Sequence, residues 1–283
     1  MVKFKKTSLI GVGLIGASFA LSLREEKICS TITGSGRTEK NLIAAREKGI
    51  IDTYSLNHAE ACKDADLIVL ATPVGSFNDI ISEIRDSIRN GSIVIDVGST
   101  KRDFIKNIET QIPKDVFFVS THPIAGSDRS GIAAARPDLF KDALCIITPT
   151  DKTNEEALTK VKELWKQIGA RVMSMTPEEH DRVFSSVSHV PHIAASAIVK
   201  TIADINKSYI DFAGSGFRDT TRIAMSSPEL WVDICKSNKQ NMIDHIGILI
   251  NNLESIKTML KENDYEALRS FLNTAKELRR IIE

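Results

Sequence analysis

Phe4-Lys5-Lys6-Thr7-Ser8-Leu9-Ile10-Gly11-Val12-Gly13-Leu14-Ile15-Gly16 is the stretch that decides how this chain folds. Residues 4–10 read as a short buried strand, residues 17–24 as a helix, and Gly-x-Gly-x-x-Gly stands between them. Each glycine has its own task in such a turn. Gly11 allows the tight bend, Gly13 lets a pyrophosphate approach the backbone, and Gly16 lets the helix pack closely on the strand. The helix N-terminus attracts the anion, so Gly11, Gly13, Leu14, Ile15 and Gly16 are the expected cofactor contacts. Lys3, Lys5 and Lys6 ahead of an apolar run could also pass for a signal peptide, but three glycines would weaken its apolar helix.

The pattern then alternates. A strand near residues 30–33 is followed by helix 39–48, a helical piece around Ala59, strand 67–71, helix 77–88, strand 93–97, a helix from about Arg102 and strand 116–119. After these come strand 144–148, helix 154–168 and strand 170–175. Strands alternating with helices imply a doubly wound parallel sheet with right-handed crossovers, an α/β fold of Rossmann type. From Pro177 onward only helical segments are expected: 177–184, 189–205, 228–238 and a long one from 240 towards 261. The expected domains are therefore 1–175, binding a dinucleotide, and 176–283, all helical.

Specificity for NAD usually takes an Asp or Glu about 20 residues after the glycines, on the ribose 2′-hydroxyl. Here that position carries Gly36, and Arg37 stands beside it with Ser35 and Thr38 as hydroxyl donors. This favours a 2′-phosphate, hence NADP, with NAD as the alternative. Thr72 and Pro73 end one strand, and Gly98-Ser99-Thr100-Lys101 ends the next, so both exits are expected on the cofactor side. Ser99 reads equally as a ligand for substrate or nicotinamide and as the N-cap of the next helix.

Composition narrows the partners. The 283 residues are 42% apolar, and 37 basic side chains cancel 37 acidic ones with no long run of one sign, which argues against nucleic acid or an anionic membrane as partner. Cys29, Cys62, Cys145 and Cys235 stand far apart, so neither a disulfide framework nor a zinc site is indicated, and a reducing cytoplasm fits.

Ser120 to Gly131 holds His122, hydroxyls, an Asp and an Arg among glycines and a proline, and reads as a loop beyond a buried strand. His122 is either a base at the sheet rim or an ordinary loop histidine. Ser188-His189-Val190-Pro191-His192 reads as a helix start whose free N–H groups attract anions, with metal binding as the weaker idea. Gly214 to Arg222 offers a guanidinium that can grip a carboxylate. Met242, Ile246, Leu249, Leu253, Ile256 and Leu260 form an a/d seam, from which a homodimer through the C-terminal helices is expected.

Five motifs together resemble the prephenate dehydrogenase family, which includes arogenate dehydrogenases: residues 11–18, Asp-Val-Gly-Ser-Thr-Lys at 96–101, Thr-His-Pro-Ile-Ala-Gly-Ser at 121–127, Ser-His-Val-Pro-His at 188–192, and Gly-Phe-Arg-Asp-Thr-Thr-Arg-Ile-Ala at 216–224. The resemblance implies oxidative decarboxylation of prephenate to 4-hydroxyphenylpyruvate in tyrosine biosynthesis. His122 would accept the C4 hydroxyl proton as neutral imidazole, with activity lost below a pKa near the ordinary 6.5. Ser99 would orient the hydroxyl and the nicotinamide. Arg222 would bind a substrate carboxylate, with His189, His192 and Ser127 lining the pocket and Asp219 or Asp128 pairing with Arg222. No fused mutase or added regulatory domain is expected, so feedback by tyrosine would act at the active site. The rivals are arogenate dehydrogenase, a β-hydroxyacid dehydrogenase, for which the expected catalytic lysine is missing, and a catalytically silent NADP sensor.

Overall fold

A computed structural model describes residues 1–126 and 131–281. Eight strands form one sheet: β1 (Phe4–Ile10), β2 (Cys29–Ser35), β3 (Thr53–Ser55), β4 (Leu67–Leu70), β5 (Ile93–Asp96), β6 (Phe117–Ile124), β7 (Leu144–Ile147) and β8 (Arg171–Ser174). Their order is β3-β2-β1-β4-β5-β6-β7-β8. The first six strands thus stand in the doubly wound dinucleotide-binding order, reversing direction of growth at β1. Every pair is parallel except β6 with β7.

Helices α1 (Leu14–Glu25), α2 (Glu39–Glu47), α3 (His58–Cys62), α4 (Phe77–Ile84), α5 (Arg102–Gln111) and α6 (Glu155–Gln167) cover the sheet. Strand residues alternate between faces, so adjacent apolar residues feed opposite cores. Leu9, Val69, Ile95 and Val119 join Phe19, Phe140 and Trp165 on one face. Ile10, Ile68, Leu70 and Val94 join Phe77, Ile81 and Phe104 on the other. All of β4 and β5 is buried, as a parallel strand covered on both sides requires.

One strand is added to the expected set, and one predicted boundary moves. The three-residue strand β3 is too short to show in the sequence pattern. More important, β6 does not end at Ser120: it runs to Ile124, so His122 and Pro123 lie within a strand and not in a loop. β6 is parallel to β5 as far as Ser120, opposite Asp96, and from Thr121 pairs antiparallel with β7, where His122 stands opposite Ile146.

Beyond the sheet come α7 (Pro177–Phe184), α8 (Val190–Asn206), α9 (Ser215–Thr221), α10 (Pro228–Ser237), α11 (Lys239–Glu262) and α12 (Tyr265–Arg280). A π-helical stretch, Ser185–His189, joins α7 to α8 without a break. Pro191 has no N–H to give and would press on the carbonyl one turn back. Widening the helix just before it accommodates the proline. His189 and His192 therefore sit inside one continuous helix, and the free N–H groups expected beside them are absent.

By its contacts the chain divides into Met1–Lys239 and Gln240–Glu283. Within the second unit α11 and α12 meet at Asn263, a non-glycine residue with φ +58, and Asp264 caps α12 through the Ala267 N–H. α12 was missed in the sequence, and none of its described residues is buried. Among the described residues no helix is long and apolar enough to cross a membrane.

Candidate active site

The glycine turn has the geometry that its spacing predicts. Gly11 has φ +98, and a Cβ there would meet the Ala71 carbonyl oxygen at 2.5 Å. A Cβ on Gly16 would lie 2.2 Å from the Gly11 carbonyl oxygen, so α1 can approach β1 only with glycine here. Gly13, at the N-cap of α1, is different: a Cβ would meet nothing within 4 Å. The space before the first N–H groups of α1, at Leu14 and Ile15, is open on the side where an anion binds.

At the end of β2 a Cβ on Gly36 would meet nothing nearer than Leu42 Cδ2 at 3.8 Å, and Arg37 and Thr38 are exposed. Ser35 departs from expectation. It is fully buried, its hydroxyl donates to the Ser55 carbonyl at 2.7 Å and lies 2.7 Å from His58 Nδ1, so it is spent inside the sheet and cannot serve a ribose phosphate. The Thr72 hydroxyl lies 2.7 Å from that of Ser76, and Asp233 of α10 accepts the Gly75 N–H at 3.1 Å, which ties the Pro73 turn to the helical segment.

The centre of the site is a buried ion pair. Lys101 Nζ donates to Asp96 Oδ2 at 2.6 Å, and both side chains are 0% exposed. The same ammonium donates to the Thr121 carbonyl at 2.7 Å and lies 5.5 Å from the Phe104 ring centroid. Asp96 accepts the Gly98 N–H at 2.8 Å and the Thr121 N–H at 3.2 Å. Thus the N–H and C=O of Thr121, released where β6 leaves β5, are taken by a carboxylate and an ammonium. Burial pulls the Lys101 pKa down, and the Asp96 charge opposes that shift.

His122 follows directly. Its Nδ1 is 2.8 Å from His180 Nε2, and His180 Nδ1 is 2.8 Å from Asp181 Oδ1. Asp181 also accepts the N–H groups of Lys101 and Arg102 at 2.8 and 2.9 Å, so it caps α5 from across the chain. Ser99 is therefore not the cap of this helix, and its half-buried hydroxyl has no partner among the described residues.

His189 is 1% exposed. Its Nδ1 accepts from Asn238 Nδ2 at 3.1 Å and the ring bonds the Ser99 backbone, so it holds the Ser99 turn instead of lining an open pocket as expected. Asn238 also donates to the Asp181 carbonyl at 2.7 Å, which links the His122 branch to the Ser99 branch. His192 stacks on Trp231 with ring centroids 3.5 Å apart, and its buried Nδ1 has no partner among the described residues. Arg222 opens a single turn after α9, is exposed, and makes no ion pair among the described residues, with Asp219 or otherwise. Ser127 and Asp128 lie outside the described residues. Among the described residues no metal-binding group of His, Cys, Asp or Glu is gathered.

Sequence reasoning missed Lys101, His180, Asp181 and Asn238 as parts of this site. Only the adjacent pair His180-Asp181, early in a helix, could have signalled it, and many surface helices begin with such residues.

Burial first, then His180, Lys101 and His189 nearby, hold His122 well below its ordinary pKa, so the ring is neutral. Burial likewise takes His180 to about 2 and His189 to about 4.

A mostly parallel sheet in dinucleotide-binding order, an open glycine turn and a buried neutral histidine near the strand ends fit a pyridine-nucleotide-dependent dehydrogenase. Two family models match the chain: the nucleotide-binding domain of prephenate dehydrogenase over residues 19–174 and its dimerization domain over 176–274. The chain belongs to the prephenate dehydrogenase family. It is 37% identical to prephenate dehydrogenase of Bacillus subtilis over 99% of this chain and 76% of that protein. The crystal structure of prephenate dehydrogenase from A. aeolicus, in complex with hydroxyphenyl propionate and NAD+, matches with TM-score 0.93 and 33% identity, covering 100% of this chain and 99% of that one. Synechocystis arogenate dehydrogenase matches with TM-score 0.81 and 26% identity, covering 98% and 100%.

The neutral histidines make the fold acid-sensitive. The unfolded chain takes up protons below about pH 6.5 while the buried rings do not, so stability is complete above that pH and falls as pH drops. Each such ring lowers stability by roughly 1.4 kcal/mol per pH unit. Denaturant titrations at pH 7.5 and 5 should show a loss of about 2 kcal/mol for His180 alone, absent from a His180→Leu variant. An equal loss in both proteins would contradict a neutral buried His180.

Proposed function

We propose that this chain oxidatively decarboxylates prephenate to 4-hydroxyphenylpyruvate with NADP as hydride acceptor, acting as a homodimer. The single observation that carries the reading is His122, held neutral and bonded through Nδ1 to His180 at 2.8 Å, where β6 turns from β5 to β7 at the carboxyl side of the sheet. Residues 1–175 bind the cofactor and 176–283 supply substrate contacts and the dimer surface. When bound there, a nicotinamide would supply the acceptor for the hydride of ring C4. Gly11, Gly13, Gly16 and the first N–H groups of α1, at Leu14 and Ile15, hold its pyrophosphate, while Thr72 and Pro73 border the same groove.

His122 accepts the C4 hydroxyl proton as the carbonyl forms, and Ser99 orients that hydroxyl. The departing carboxylate leaves as carbon dioxide, and the ring becomes aromatic. Aromatisation drives the reaction, so the protein chiefly aligns and polarises. Arg222, exposed and without an ion pair among the described residues, grips a substrate carboxylate, and Nδ1 of His192, without a partner among them, offers a further polar contact. The similarity to prephenate dehydrogenases at 37% and 33% identity supports prephenate over arogenate, as the arogenate dehydrogenase match is more distant.

His122→Asn should lower kcat on the order of 10²- to 10⁴-fold while leaving cofactor affinity intact. Arg222→Ala should raise the KM for prephenate about 30-fold, far more than that for cofactor. Turnover that survives His122→Asn would remove the proposed base.

Room at Gly36, where neither packing nor a positive φ demands glycine, and the exposed Arg37 beside it favour a 2′-phosphate. Arg37→Ala should weaken NADP binding about tenfold or more and hardly touch NAD, and Gly36→Asp should reverse the preference. An unchanged preference in both would place phosphate recognition elsewhere.

On α11 the seam residues Leu253 and Leu260 are more than half exposed, and Ile243 and Ile250 with them. Such a surface favours a second copy. Light scattering should give twice the chain mass, and a Leu253→Glu/Leu260→Glu variant should give the monomer. A monomeric unmutated chain at micromolar concentration would rule out the dimer.

A further inference from the structure

The base proposed above is tied to a second histidine that the reaction itself does not require. The proton positions along this chain can be assigned from its far end. Asp181 receives backbone N–H groups on both oxygens, Oδ1 from Lys101 and Oδ2 from Arg102. A carboxylate so occupied is an acceptor, so the proton between Asp181 Oδ1 and His180 Nδ1 belongs to the imidazole. His180 is buried beside the Lys101 ammonium and is neutral, so it carries only that one proton. Its Nε2 is then a lone pair facing His122 Nδ1 at 2.8 Å. His122 Nδ1 must supply the hydrogen, and Nε2 of His122 is left bare. Phe184 holds both ring planes, its centroid lying 4.5 Å from that of His180 and 5.0 Å from that of His122.

We infer that His180, oriented by Asp181, is a positioning residue that locks His122 in the tautomer protonated at Nδ1, so that His122 Nε2 is the atom that takes the substrate's hydroxyl proton. The opposite tautomer would present an N–H to the hydroxyl and could not accept its proton. The same carboxylate caps α5, so the tautomer is set by a group whose position the fold already fixes. The inference deepens the reading of His122 as base, but the tautomer is a property of the free protein and is measured without substrate.

The test is long-range proton–nitrogen NMR of the full chain with 15N-labelled histidine near neutral pH, together with kinetics of His180→Leu and His180→Gln. In the unmutated protein the His122 ring should carry its proton on Nδ1 with Nε2 unprotonated. In His180→Leu that preference should be lost, and kcat should fall on the order of 10²-fold or more with the KM for cofactor little changed. His180→Gln places an amide oxygen near the lost Nε2. It should keep the Nδ1-protonated form and recover most of kcat, which a merely space-filling histidine would not require. A His122 ring protonated at Nε2 in the unmutated protein overturns the inference whether or not His180→Leu folds. So does a His180→Leu variant with unchanged tautomer and unchanged kcat. Loss of the proposed base would show instead as turnover surviving His122→Asn, which leaves the tautomer result standing.

Discussion

Where β6 changes partner from β5 to β7, Thr121 loses its place in the parallel ladder, and its N–H and C=O are caught by Asp96 and Lys101. Both charged side chains are completely buried, so each depends on the other: removing one partner of such a pair costs about 3–5 kcal/mol, because the remaining charge is left uncompensated. The pair does more than stabilise. It turns the strand so that the next residue, His122, is delivered to the carboxyl end of the sheet, and the bond from Asp96 to Gly98 tightens the turn that carries Ser99.

From this pair the helical segment is attached by polar groups. Asp181 caps α5 through the N–H of Lys101 itself, His180 reaches His122, and Asn238 joins Asp181 to His189 and so to the backbone of Ser99. The two residues proposed for chemistry therefore lie at the two ends of one hydrogen-bonded circuit. Such a network is worth having only when all its members are satisfied. Its burial keeps the histidines neutral, which is the protonation state that proton acceptance requires.

Local chemistry was legible in the sequence, and long-range pairing was not. The roles of Gly11, Gly13 and Gly16 follow from one turn, and the three-dimensional fold obeys them. The alternation of strands and helices likewise implies a doubly wound sheet, though not its strand order. The second half of β6 is hidden because it pairs with β7, where Ile124 meets Leu144, and because Pro123 and Gly126 imitate a loop. Ser35 was misread because its hydroxyl is consumed by Ser55 and His58 across the sheet, which no spacing reveals. The His189–His192 pair looked like a helix start because Pro191 stands there, whereas a π-helical turn absorbs the proline. Lys101 and Asp181 meet across 80 residues, and nothing in either local sequence announces it.

The circuit matters to function only if the chain oxidises prephenate, and NADP is the proposed acceptor. The most direct test is a steady-state assay of the purified chain with prephenate or arogenate, each with NAD or NADP, following reduced nicotinamide. Turnover is expected with prephenate, and most efficiently with NADP. Reduction with arogenate alone, or none in any of the four mixtures, would contradict it.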